Sequence, residues 1–146
     1  MNNQTQKSVD SFSWQWTRQS VIDSPKTFYR RLFKECGIFH DYLDGKVVAD
    51  VCSGNGRHVW AINNLSKNVK IISIELSEDA TDHQKEAFDD MENIIIIQGD
   101  AENVKFQADF IYMIGAIQHV ARPEMTLENI MGNLNWGGGS WLLVFI

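Results

Sequence analysis

From Lys46 onward the chain alternates short apolar runs with amphipathic stretches, and this alternation constrains the fold more than any other feature. The runs are 47–51, 69–74, 94–97, 110–114 and 140–146. They are rich in Val and Ile and show no period-two alternation, the pattern of strands covered on both faces. Between them, 57–65, 78–89 and 123–134 carry helical spacing. Strands alternating with helices through short links predict an α/β domain: a mostly parallel sheet with right-handed crossovers, sandwiched in three layers. At 146 residues the chain holds one such unit.

Ahead of the alternation, residues 1–11 are polar and read as a disordered lead-in. Residues 12–45 read as an N-terminal helical cap on the sheet region 46–146. The cap's helical pattern comes in two pieces, 12–22 and 25–36. Ser24 serves as cap of the second, Pro25 takes its first position and Gly37 stops it. Trp14, Trp16, Phe28 and Leu32 either cover the sheet or form a lid over a site, with Trp16 the foremost lid residue and Arg18 able to attract an anionic group.

Acidic residues outnumber basic ones by 19 to 13, a net charge of −6, which argues against holding nucleic acid through its phosphates. The longest nearly apolar stretch, 108–117, contains Asp109 and is too short for a bilayer, so no membrane partner is expected. The first ten residues are polar and predict no secretory leader, and the whole reads as a cytoplasmic protein. Cys36 and Cys52 make no disulfide framework, and no metal site is expected, because no His, Cys and carboxylate cluster has ligand spacing.

The chemistry is concentrated at the ends of the apolar runs. Val47-Val48-Ala49-Asp50-Val51-Cys52-Ser53-Gly54-Asn55-Gly56-Arg57-His58 is a strand ending in an acid, a small-residue turn with two glycines, and a helix start. Gly54 and Gly56 allow close backbone approach and positive φ, and the helix presents free N–H groups. Without a ligand the same residues make a tight strand-to-helix turn. Glu75 closes the second run 19 residues beyond Gly56, near the ~20-residue spacing at which an acid takes ribose hydroxyls. The third run ends in Gln98-Gly99-Asp100-Ala101-Glu102, which alone is an ordinary strand exit. Together, the three strand ends predict a nucleoside site at the carboxyl edge of the sheet.

At these residues the chain resembles the class I (Rossmann-like) S-adenosylmethionine-dependent methyltransferases. Asp50-Val51-Cys52-Ser53-Gly54-Asn55-Gly56 is similar to the family's first motif, Ile74-Glu75-Leu76-Ser77 to its second, and Gln98 to Glu102 to its third. Ile114-Gly115-Ala116-Ile117-Gln118-His119-Val120 resembles the segment after its fourth strand, and Asn135-Trp136-Gly137-Gly138-Gly139-Ser140 the turn into its fifth. The resemblance implies S-adenosylmethionine as cofactor and S-adenosylhomocysteine as product. It places Gly54 and Gly56 beside the methionine part, with Asp50 and Ser53 ordering the turn. Glu75 would hold the ribose, Leu76 would pack on adenine, and Asp100 would accept from the adenine amino group beside the Ala101 backbone. Ile114 and Gly115 would meet the methionine ammonium. The family usually has another glycine where this chain has Cys52, which reads as a small apolar residue rather than a nucleophile.

A sulfonium methyl is already activated, so such a protein mainly aligns donor and acceptor and excludes water. His119 is the candidate base; equally, Gln118 and His119 only shape the pocket or bind a small-molecule acceptor. His58 reads as a packing or surface residue. The family's sheet usually has seven strands and five are countable here, so the chain reads as truncated after the fifth strand. The competing expectation is a short form that covers the edge from Trp141 to Ile146 by forming a homodimer. Two other functions compete: a non-catalytic module that binds the nucleoside cofactor, and an NAD-dependent oxidoreductase. The latter's fingerprint wants a glycine where Val59 stands.

Overall fold

A computed structural model of the protein describes residues 10, 12–15, 17–18, 34–35, 40–137 and the strand at 141–145. The expected lead-in apart from Asp10, most of the helical cap with its Ser24, Pro25 and Gly37 signals, and the lid candidate Trp16 lie outside the described residues.

The elements run β1 (Val47–Val51), α1 (Arg57–Leu65), β2 (Lys70–Glu75), α2 (Glu78–Ala87), β3 (Ile94–Gln98), β4 (Phe110–Ile114), α3 (Pro123–Gly132) and β5 (Trp141–Phe145). Single 3-10 turns precede β1 at His40–Leu43 and follow β4 at Ile117–His119. Each apolar run is a strand and each amphipathic stretch a helix. Ser77 starts α2 by accepting from the Ala80 N–H, and Glu78 and Asp79 in its first turn suit the positive helix end. The helix stops two residues short of the sequence expectation because Phe88 leaves helical backbone and is buried.

The five strands form one parallel sheet in the order β3-β2-β1-β4-β5. Successive residues face opposite sides. Val48, Ile71, Phe110 and Tyr112 pack with Val59 and Ile62 of α1 and with Phe88. Ala49, Val51, Ile74, Ile111 and Met113 pack on the other face with Ile130 of α3 and Leu134 beyond it. This is the expected three-layer Rossmann-like sandwich. The expectation of two covered faces holds for β1, β2 and β4 and fails at β3: Ile95 is 56% exposed, because β3 is the edge strand. Among the described residues no helix is long and apolar enough to cross a membrane.

Candidate functional site

The chain steps from β1 through β2 to β3, then returns to the other side of β1 with β4. Open parallel sheets leave a crevice above such a reversal, outside the carboxyl ends of the strands. The turn after β1 occupies that place. Cys52, Gly54 and Gly56 all take left-handed backbone, with φ of 60°, 58° and 81°. Such backbone is cheap only for glycine, so Cys52 is strained at the position where the resemblance expects a third glycine. Gly56 is required twice over, since a Cβ there would also lie 2.7 Å from Phe88 Cε2.

Glu75 clamps this turn. Its Oε2 accepts from the Gly54 N–H at 2.8 Å, and its Oε1 from the N–H groups of Leu76 and Ser77 at 2.9 and 3.0 Å. A carboxylate has about four acceptor positions, so one remains, on Oε2. Burial holds the Glu75 carboxyl above its ordinary pKa, with the N–H bonds from Ser77, Gly54 and Leu76 pulling the other way. The Ser53 N–H donates to the Ile74 carbonyl at 3.0 Å, so the turn is also bonded to β2.

Asp50 is buried and stands opposite Tyr112 in the β1–β4 register. Burial raises its pKa well above the ordinary value; the neighbouring Tyr112 side chain opposes this, and the charge of Glu75 adds to it. Its Oδ2 has no partner. Of the two residues that the resemblance assigns to ordering the turn, Ser53 is bonded within it, whereas the side chain of Asp50 meets Tyr112. Burial, and then the charges of Glu75, Asp50 and Asp100, push the Cys52 thiol far up, so it stays protonated and is no nucleophile. His58 is buried edge-on to Tyr112, ring centroids 6.4 Å apart. Burial first, and the Arg57 charge second, lower its pKa to about 3, so it is a neutral packing residue.

The loop after β3 comes alongside. The Gly99 N–H donates to the Glu75 carbonyl at 2.9 Å, and Asp100 Oδ1 accepts from the Glu102 N–H at 3.0 Å. Ala101 is buried and Leu76 half-buried. After β4, Gly115 has φ 66° and open space where a Cβ would stand. Gln118 Nε2 donates to the Gly115 carbonyl at 3.1 Å, and Ile114 is half-buried.

The N-terminal residues reach this edge. Phe12 meets His119 edge-on at 4.9 Å, and Ser13 Oγ donates to Asp79 Oδ2 at 2.6 Å. The helical residues 12–15 thus touch the segments after both β4 and β2, the two strands flanking β1. Arg18 lies 4.2 Å over the exposed ring of Trp14.

Two contacts were missed in the sequence. Gln84 of α2 donates to Ser53 Oγ and to the Gly54 carbonyl, at 2.9 and 2.7 Å. The readable signal was a polar residue on the same helical stripe as Ala80, Thr81 and Phe88. Glu102 accepts from the Arg122 N–H at 2.9 Å and from its Nε at 2.8 Å, tying the loop after β3 to the start of α3. Sequence spacing carries no sign of that pair.

A nucleoside fits this edge. Glu75 and Asp100 stand at or just beyond the ends of neighbouring strands, one acceptor position is left on Glu75, and Gly115 has open space where a Cβ would stand. A pyrophosphate would meet the same acids unfavourably, and Val59 is buried against the sheet where the nicotinamide fingerprint needs glycine. Among the described residues no group of three His, Cys, Asp or Glu could hold a metal ion.

The fold and this edge define an α/β nucleoside-binding domain with a glycine turn after its first strand. The chain belongs to the methyltransferase-domain family, whose model matches residues 48–138 and whose cofactor is S-adenosylmethionine. It is 30% identical over 124 residues to a demethylmenaquinone methyltransferase of Staphylococcus saprophyticus, covering 80% of this chain and 50% of that protein. The chain therefore spans about half the length of the curated relative it matches. A Methanococcus maripaludis protein assigned to the S-adenosyl-L-methionine-dependent methyltransferases aligns with 99% of this chain and 65% of its own, with TM-score 0.71 and 17% identity. An S-adenosylmethionine-dependent methyltransferase of Aquifex aeolicus aligns with 69% of this chain and 55% of its own, with TM-score 0.59 and 19% identity. At these identities the two structures show a shared fold.

Proposed function

We propose that the protein transfers a methyl group from S-adenosylmethionine to a small-molecule acceptor by in-line displacement, releasing S-adenosylhomocysteine. The observation that carries this reading is Glu75, which is bonded to the Gly54 N–H of the glycine turn and keeps one acceptor position for a ligand.

The cofactor supplies an electrophilic methyl on a sulfonium. Glu75 Oε2 receives a ribose hydroxyl while the rest of that carboxylate holds the turn. Asp100 Oδ2 accepts from the adenine amino group, beside the Ala101 backbone and with Leu76 against the ring. Gly54 and Gly56 admit the methionine part, and the backbone at Ile114 and Gly115 accepts from its ammonium. Asp50 supports the turn's strand from below through Tyr112.

On the acceptor side, His119 stands exposed at the mouth against Phe12. It takes the acceptor proton where the acceptor is a hydroxyl or amine; a carboxylate or thiolate needs no base. Gln118 lines the same mouth. Arg18 draws an anionic group of the acceptor.

Thermal melting tests the cofactor reading. Saturating S-adenosylhomocysteine raises the melting temperature by several degrees, since ligand at 100 times Kd adds about 2.7 kcal/mol. A melting curve unchanged by that ligand would contradict it.

A further inference from the structure

A closed ring of hydrogen bonds lies beneath the glycine turn. Gln84 Nε2 is 2.9 Å from Ser53 Oγ, Ser53 Oγ is 2.7 Å from Ser73 Oγ, and Ser73 Oγ is 2.5 Å from Gln84 Oε1. Each serine has a single hydroxyl hydrogen, and Gln84 Oε1 can only accept. The Ser73 hydrogen therefore goes to Gln84 Oε1, the Ser53 hydrogen goes to Ser73 Oγ, and Gln84 Nε2 donates to Ser53. The second Nε2 hydrogen goes to the Gly54 carbonyl at 2.7 Å. All three side chains are buried.

Burying a primary amide and two hydroxyls between a helix and a sheet is costly, and apolar side chains would fill the space with less penalty. The turn itself supplies the reason for the ring. Its Gly54 carbonyl points down toward α2 and would be a buried acceptor with no partner if Gln84 were apolar. The peptide is planar and trans, so holding this carbonyl down also fixes the Asn55 N–H on the opposite side of the plane. Gly54 is thereby gripped at both ends, its N–H by Glu75 and its carbonyl by Gln84. Gln84 Cγ also lies 3.1 Å from where a Cβ of Gly56 would be, so the same side chain floors both glycines.

We propose that Gln84, oriented by Ser73, is a positioning residue that holds the 53–56 turn in the form that receives the methionine half of the cofactor. The inference rests on the methyltransferase reading, which places that half over Gly54 and Gly56. It separates two parts of one ligand: Glu75 and Asp100 hold the adenosine, while Gln84 acts through the turn on the amino-acid portion alone.

The test is calorimetric titration of the wild-type protein, Gln84→Met and Ser73→Ala, each with S-adenosylhomocysteine and with adenosine, below the melting temperature of every variant. Gln84→Met loses at least about tenfold in affinity for S-adenosylhomocysteine and less than about twofold for adenosine. Ser73→Ala moves the same ratio in the same direction by a smaller factor. Unchanged S-adenosylhomocysteine affinity in folded Gln84→Met, or an equal loss for both ligands, overturns the proposal, since general loosening of the domain would not spare adenosine. Should Gln84→Met fail to fold, the ratio in Ser73→Ala decides. A wild-type protein that binds neither ligand overturns the methyltransferase reading, and this inference with it.

Discussion

The Gly54 N–H donates to Glu75 Oε2 at 2.8 Å, so the acid that closes β2 is bonded to the turn that follows β1. With the bonds from Leu76 and Ser77, this leaves the carboxylate one acceptor position for a ligand. Turn geometry and ligand recognition are therefore joined in one side chain.

Glu75→Gln exposes that double task. The amide NH2 cannot accept from Gly54, and the variant leaves a buried N–H unpaired, at a cost of about 1–3 kcal/mol. S-adenosylhomocysteine affinity falls at least about tenfold, and the urea midpoint falls with it. Loss of affinity at unchanged stability would mean that the carboxylate serves the ligand alone.

Cys52 carries strain that glycine would not. Left-handed backbone costs a side-chain-bearing residue about 1–2 kcal/mol, while glycine gives back about 0.5–1 kcal/mol in unfolded-state entropy. Cys52→Gly is therefore stabilising by up to about 1.5 kcal/mol, with cofactor affinity kept or improved. Urea denaturation measures the first, and a destabilised variant would show that the thiol packs better than its backbone conformation costs.

His58 makes the fold sensitive to acid. Its pKa is about 3 in the folded protein against about 6.5 unfolded, so below pH ~6.5 the unfolded chain takes up a proton that the folded one refuses. The contribution of His58 is full above that pH and drains as pH falls toward 3, by up to about 1.4 kcal/mol per pH unit. Asp50 and Glu75 are both raised and act with opposite sign: their contribution is lost as pH rises above about 4 toward their folded values. Those acids are common to wild type and His58→Gln, so the comparison isolates the histidine. Between pH 7 and 4 the urea midpoint of wild type falls more steeply than that of the variant; parallel curves would contradict the shift.

The elements were readable where residue type and spacing act locally. The helix Arg57–Leu65 lies where Gly56 and the apolar stripe put it, and the Val- and Ile-rich runs are strands because a parallel sheet buries both faces of its inner members. Local pattern says nothing of strand order, so the exposure of Ile95 on the edge strand β3 was not legible. At the site, Glu75 was identified from its distance to the glycines, yet its bond to the Gly54 N–H depends on how two loops meet. Gln84 showed only as a polar residue on the buried stripe of its helix, since its partners Ser53 and Gly54 lie 31 and 30 residues away and become neighbours only when α2 packs on the sheet.

On the proposed function, the carboxyl edge takes an adenosyl amino-acid ligand and rejects a dinucleotide. Calorimetric titration with S-adenosylhomocysteine beside NAD tests it most directly. Saturable binding of S-adenosylhomocysteine at one site per chain, with no heat of binding from NAD, is the expected result. Binding of NAD, or a folded sample that binds neither ligand, would contradict it.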